Sequence, residues 1–140
     1  MVLLSKEELM LSLIATTFSF LCLDLAWINL VAVGLYKQHL PDFLLRNSKG
    51  DVTPNLVACA LFYIVAIGCL YFLAVKSTDS LKQATITGAV AGLFAYGTYA
   101  FTGQALFKNW NWTLTVLDVA WGALLCATAA GIGFYVKTRF

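Results

Sequence analysis

The stretch LMLSLIATTFSFLCLDLAWINLVAVGLY, Leu9–Tyr36, runs for 28 residues with a single charged side chain, Asp24. At 1.5 Å per residue, a helix of this length more than spans the roughly 30 Å of a bilayer's hydrocarbon core. Three further apolar runs follow, about 54–75, 81–106 and 112–136, and together the four take up nearly the whole chain. Glu7 and Glu8 mark the start of the first, where acidic side chains suit a helix N-terminus. Pro54 is expected in the first turn of the second. Lys37–Thr53 is the only long connection, while STDS (Ser77–Ser80) and KNWN (Lys108–Asn111) are tight. Short connections make sequential helices antiparallel neighbours. The predicted fold is therefore all-α: an integral membrane four-helix up-down bundle, one transmembrane domain over residues 1–140.

Composition agrees. The chain is 61% hydrophobic and 11% charged, against about a quarter charged in soluble domains, and its mean hydropathy is +0.82. So few charges cannot cover a water-soluble core. The net charge is +2 with no basic stripe, so nucleic acid is not an expected partner. Lys6, Lys76, Lys82, Lys137 and Arg139 fall on one side of the spans, and Lys37, Arg46, Lys49 and Lys108 on the other. Five against four places both termini in the cytoplasm by the positive-inside rule. The start SKEEL carries two acids for one lysine and no A-x-A site follows. The segment reads as a retained helix rather than a cleaved signal.

Several chemistries have no support. Cys22, Cys59, Cys69 and Cys126 lie in apolar runs without CxxC or Cys/His spacing and are expected as buried small hydrophobes. His39 sits beside Pro41 in a polar stretch and reads as an interfacial residue, so no metal site is predicted. GxGxxG, P-loop, HExxH and GxSxG patterns are absent from the sequence, and no cofactor is expected.

The informative residues are the polar ones inside the spans. LDLAW (Leu23–Trp27) and LDVAW (Leu117–Trp121) each set an aspartate three residues before a tryptophan. A mid-helix aspartate costs about 2.5–3.5 kcal/mol on the insertion scale and normally faces the bundle interior with a partner. Residues three apart share a helix face, so each indole N–H is expected beside its own aspartate or one on a neighbouring helix. Measured from the long-loop side, Asp24 lies about 18 Å deep and Asp118 about 9 Å. Asn29, Asn55, Tyr96, Thr98, Tyr99, Thr102 and Gln104 fall in the same half, with Trp110 and Trp112 as an interfacial aromatic belt. The opposite half reads as much drier, mainly Leu, Ala, Val, Ile and Phe. The site predicted from the residues is a polar pocket of Asp24, Asp118, Trp27, Trp121, Asn29, Asn55, Tyr96 and Tyr99, opening toward the long loop.

Small residues form two further faces: Ala84, Gly88, Ala91, Gly92 and Ala95 on the third span, and Gly122, Cys126, Ala129, Ala130 and Gly133 on the fourth. Such faces let backbones approach closely in lipid. Internal packing and a homodimer are the two uses they allow.

The motifs, in order, resemble the family catalogued as Domain of Unknown Function 2177. They are LDLAW with Tyr36 downstream, PNLVACALFY with Gly68, GAVAGLFAYGTYAFT, and Trp110 followed by TVLDVAWG, extending from Leu23 to Gly133. The resemblance implies a small bacterial four-helix protein of the cell inner membrane, multi-pass, and assigns no activity. Where that family reads Tyr-Asp-Leu-Thr-Asn, this chain has Tyr99, Ala100, Phe101, Thr102 and Gly103, so two polar side chains are missing.

Three roles fit the residues. The first is binding or transport of a small or lipid-like ligand, or of protons, through the pocket on Asp24 and Asp118, with membrane lipid as the surrounding partner. The second is a structural or accessory subunit in which the aspartates fix helix register by hydrogen bonding. The third is an intramembrane lipid-modifying enzyme with the two acids as an acid–base pair. No activated nucleophile accompanies them, which weighs against catalysis.

Overall fold

The computed structural model describes residues 5–140. Ser5 and Glu8 form a capping box: the Ser5 hydroxyl accepts from the Glu8 N–H at 3.1 Å and the Glu8 carboxylate from the Ser5 N–H at 2.6 Å. This satisfies two N–H groups that a helix start would otherwise leave bare and begins α1, Lys6–Trp27. The helix does not stop there. A π turn, Ile28–Ala32, carries it without a break into α2, Val33–His39. A 3₁₀ turn at Pro41–Phe43 follows, then a small hairpin closed by the Arg46–Val52 bridge.

The second apolar run is α3, Leu56–Leu70, prolonged by a second π turn, Tyr71–Lys76. Its first turn is set by the Asn55 side chain, which accepts from the Ala58 N–H at 3.1 Å. Pro54 thus stands outside the helix rather than in it, because Asn55 supplies the cap. Ser80 caps α4, Leu81–Leu106, and Asn111 caps α5, Trp112–Arg139. The architecture is all-helical, and the described residues contain no strand.

Three stretches, Lys6–His39, Leu56–Lys76 and Trp112–Arg139, are long and apolar enough to cross a membrane. Helix α4 matches them in length but is more polar, carrying Lys82, Gln83, several threonines and Gln104. It offsets that polarity by packing closely. Its small face lies against the small face of α5, Gly88 on Cys126 and Ala130, and Gly92 on Gly122 and Cys126. A Cβ at Gly92 would run into the Gly122 carbonyl, so the close approach requires glycine there. The two small-residue faces are thereby used against each other within the chain.

Helix α5 is the hub, touching both α4 and α1. Thr16 meets Gly133, Asp24 meets Trp121, and Tyr36 meets Asp118, so α1–α2 and α5 run in opposite directions. Helix α3 is held mainly at its far end, where the Tyr71–Lys76 turn contacts α1, α4 and α5. Phe20, Leu70, Ala74, Val75, Leu125 and Ala129 close the core at that end.

That end, the drier one by sequence, still carries polar bonds. The Tyr71 hydroxyl donates to the Leu9 carbonyl at 2.8 Å and lies 3.1 Å from the Ser12 hydroxyl. Lys137, only 8% exposed, donates to the carbonyls of Val75, Lys76 and Thr78 at 2.8, 3.2 and 3.0 Å. Its ammonium caps the C-terminal end of the α3 segment, where carbonyls lack helical partners. Serine and threonine hide in apolar sequence because they bond their own helix, as Thr16 does to the Ser12 carbonyl. Nor are all four cysteines buried: Cys22 and Cys69 are exposed, Cys59 half-buried, and only Cys126 enclosed, all as free thiols.

Gly92→Leu is expected to force α4 from α5 and lower stability by about 1–3 kcal/mol, the usual cost of overpacking. Gly68→Leu, where a side chain meets nothing within 4 Å, should leave the thermal midpoint in detergent unchanged. Lys137→Met, which strips three carbonyls of their donor, should lower that midpoint as well.

Candidate functional site

The site is built by the first π turn. Asp24 and Tyr36 are twelve residues apart, which in unbroken α-helix would turn them about 120° from each other. A π turn takes up one extra residue. Tyr36 therefore sits as though eleven residues on, within about 20° of Asp24. Both side chains face α5, Asp24 accepting from Trp121 and Tyr36 donating to Asp118.

Asp24 is 3% exposed and receives donors from three other helices. The Tyr63 hydroxyl of α3 donates to Oδ2 at 2.9 Å. Trp121 Nε1 of α5 donates to Oδ1 at 3.2 Å, and the Tyr96 hydroxyl of α4 reaches the same oxygen at 3.5 Å. Every partner is a donor, which matches a carboxylate that only accepts. The Trp27 and Trp121 rings stack 4.6 Å apart at 7°, so the two Asp-x-x-Trp units do meet. They meet crosswise: Trp121 serves Asp24 on the opposite helix rather than Asp118 on its own.

Asp118 is 9% exposed and differently served. The Tyr36 hydroxyl donates to its Oδ2 at 2.6 Å and lies 3.2 Å from the Tyr99 hydroxyl. Trp110 stands edge-on to both tyrosine rings and donates to the Thr115 hydroxyl at 3.2 Å, which donates in turn to Gln104 at 3.0 Å. Trp110 is thus packed inward over Gly103, where a Cβ would strike its ring. Only Trp112, 63% exposed, lies on the outside as a belt residue would. His39, at the end of α2, contacts Asn111 at 2.6 Å.

Of the eight residues predicted for the pocket, Asp24, Asp118, Trp27, Trp121, Tyr96 and Tyr99 come together. Asn29 does not: it is exposed and bonds the Leu25 carbonyl of its own helix at 2.7 Å. Asn55 does not either, being spent as the α3 cap. Tyr63 and Tyr36 belong to the cluster and were missed. A phenol inside an apolar span needs an acceptor, which was the available signal for Tyr63. Tyr36 read as a helix end because a π turn leaves no mark in the sequence.

Beside the cluster lies a cleft of about 1090 Å³, open on one side. Its walls are mostly apolar, with Leu61 and Val65 from α3 and Phe94 and Ala95 from α4. Its polar lining is Asp24, Trp27, Tyr36, Tyr96, Tyr99 and Asp118. Helix α3 stands away from α4 in this half, with Phe62 against Tyr96 as the bridge between them. Among the described residues, no group of His, Cys, Asp or Glu side chains is arranged to hold a metal ion.

Residues 9–135 match the family described as "Predicted membrane protein (DUF2177)". The chain belongs to that family. It is a membrane protein, and its DUF2177 region takes in every residue of the aspartate cluster and of the cleft. No curated protein and no solved structure matches it.

In this DUF2177 chain the Trp121–Asp24 bond ties α5 to α1. A double-mutant cycle of Trp121→Phe with Asp24→Asn, read by thermal unfolding in detergent, should give a coupling of about 0.6–1.7 kcal/mol. Tyr99→Phe, on an exposed tyrosine with only a hydroxyl neighbour, should leave stability within about 0.5 kcal/mol of the parent.

Proposed function

We propose that this chain is a four-helix up-down bundle of the bacterial inner membrane, both termini cytoplasmic, that holds a lipid-like ligand in the cleft between α3 and α4. One observation carries this reading: a cleft of about 1090 Å³ whose α3 wall is apolar and whose other walls carry a cluster of carboxylates and phenols. An apolar wall facing a few polar groups is complementary to an amphiphile, whose chain and head need those two surroundings.

The packing of α3 supports entry from the bilayer. Leu61, Val65 and Phe94 at the cleft are 58%, 62% and 76% exposed, an apolar rim that costs nothing in lipid. The two acids are unequally served. The three donors on Asp24 favour a register-fixing role for that acid, holding the cleft's back wall together. Asp118 is left to face whatever the cleft takes up.

The test is native mass spectrometry of protein extracted from its own membranes. A retained lipid is expected in the parent chain. Ala58→Trp and Ala95→Trp, which place an indole in the cleft from exposed positions, should keep the thermal midpoint of ligand-free protein and lose that lipid. Lipid retained unchanged by both variants would remove the cleft from consideration.

A further inference from the structure

The cleft is one-sided in charge. Its lining includes two carboxylates, three phenols and an indole, and not one lysine, arginine or histidine. The two acids differ in what they still need. Asp24 is served on both oxygens, by Tyr63 on Oδ2 and by Trp121 and Tyr96 on Oδ1. Asp118 is served on Oδ2 by Tyr36, and among the described residues no donor reaches its Oδ1. Yet its side chain is only 9% exposed and lines the cleft.

This second oxygen is not sealed, since no buried side-chain oxygen among the described residues lacks a partner, but beside apolar walls a carboxylate oxygen without a donor still carries a cost. What removes the cost is a group that brings N–H donors and a positive charge. The neighbouring rings suit such a group as well. Tyr36 and Tyr99 flank Asp118, joined at their hydroxyls, and Trp27 lines the same cleft. Aromatic faces attract ammonium groups, the more so out of water. A fatty acid or a phosphate head would instead set like charge against two carboxylates in a low-dielectric trough, with no basic side chain to answer it.

We infer that the cleft selects a cationic, amine-bearing amphiphile, with its ammonium on Asp118 and its chain along the α3–α4 walls. This rests on the reading of the cleft as an amphiphile site and adds the class of head group. Asp118 binds the head; Asp24, already satisfied, positions Trp121 and Tyr96 behind it.

The experiment uses the full chain in a non-ionic detergent and follows intrinsic tryptophan fluorescence during titration. Three probes share one eighteen-carbon chain and differ only in the head: primary amine, alcohol and carboxylic acid. The amine is expected to bind at least about tenfold more tightly than the alcohol, as a buried charge pair requires, with the acid weakest. Asp118→Asn should abolish the preference for the amine while leaving alcohol binding in place. Asp51→Asn, in the exposed hairpin, should change neither. Equal affinity for all three heads overturns the head-group assignment and leaves the cleft reading standing. So does an amine preference that survives Asp118→Asn. Failure of all three chains to bind overturns the cleft reading itself. The comparison of heads on the parent chain decides the proposal even where Asp118→Asn does not fold.

Discussion

A buried carboxylate that needs donors organises this molecule. Asp24 lies inside an apolar helix, where no solvent can serve it, and each helix packed around it answers with one polar hydrogen. Tyr63 comes from α3, Tyr96 from α4 and Trp121 from α5. None of these groups could face lipid at low cost, and none has another acceptor within the cluster. Helix–helix association in a bilayer lacks the hydrophobic drive that folds soluble proteins. Directional bonds of this kind therefore decide which faces meet and at what height.

Packing density is distributed to match. Helices α4 and α5 are drawn together by glycine against backbone, and α1 joins them along its length. Helix α3 has no comparable small face toward α4 and is fixed at one end, where Lys137 holds the carbonyls of its final turn. Tight contact on one side and only the Tyr71–Lys76 end and the Tyr63–Asp24 bond on the other leave a trough between α3 and α4. The cleft is thus a consequence of unequal packing, and part of the aspartate cluster lines it.

The two π turns link local backbone to this arrangement. The first brings Tyr36 onto the face of Asp24, which lets one long helix serve both acids. The second, at Tyr71–Lys76, lies where α3 makes most of its helix contacts and presents carbonyls to Lys137. An extra residue in a helix weakens its own ladder, and at Tyr71–Lys76 the contacts with α1, α4 and α5 compensate.

Much of this was legible from composition and spacing. Apolar runs long enough to cross a bilayer, tight connections and two intramembrane acids dictate helices with inward-facing aspartates, because lipid tolerates neither open backbone nor a bare carboxylate. Gathering Asp24, Asp118, Trp27, Trp121, Tyr96 and Tyr99 at one end followed from depth along antiparallel helices. The details that depended on rotation did not follow. Tyr36 points inward because the π turn shifts phase by one residue, and no side chain announces that shift; Asn29, five residues past Asp24 and so about 140° round an unbroken helix, points outward without it. Asn55 turned out to be a cap, and of the two placements open to each indole, Trp121 took the aspartate of the opposite helix. The sequence by itself determined that these polar groups must be buried together, since the cost of exposing them to lipid is a property of each side chain. Which donor meets which oxygen, and that Asp118 lines the cleft with one oxygen no described donor reaches, was decided only by the tertiary structure, since those depend on helix phase and on the unequal separation of α3 and α4.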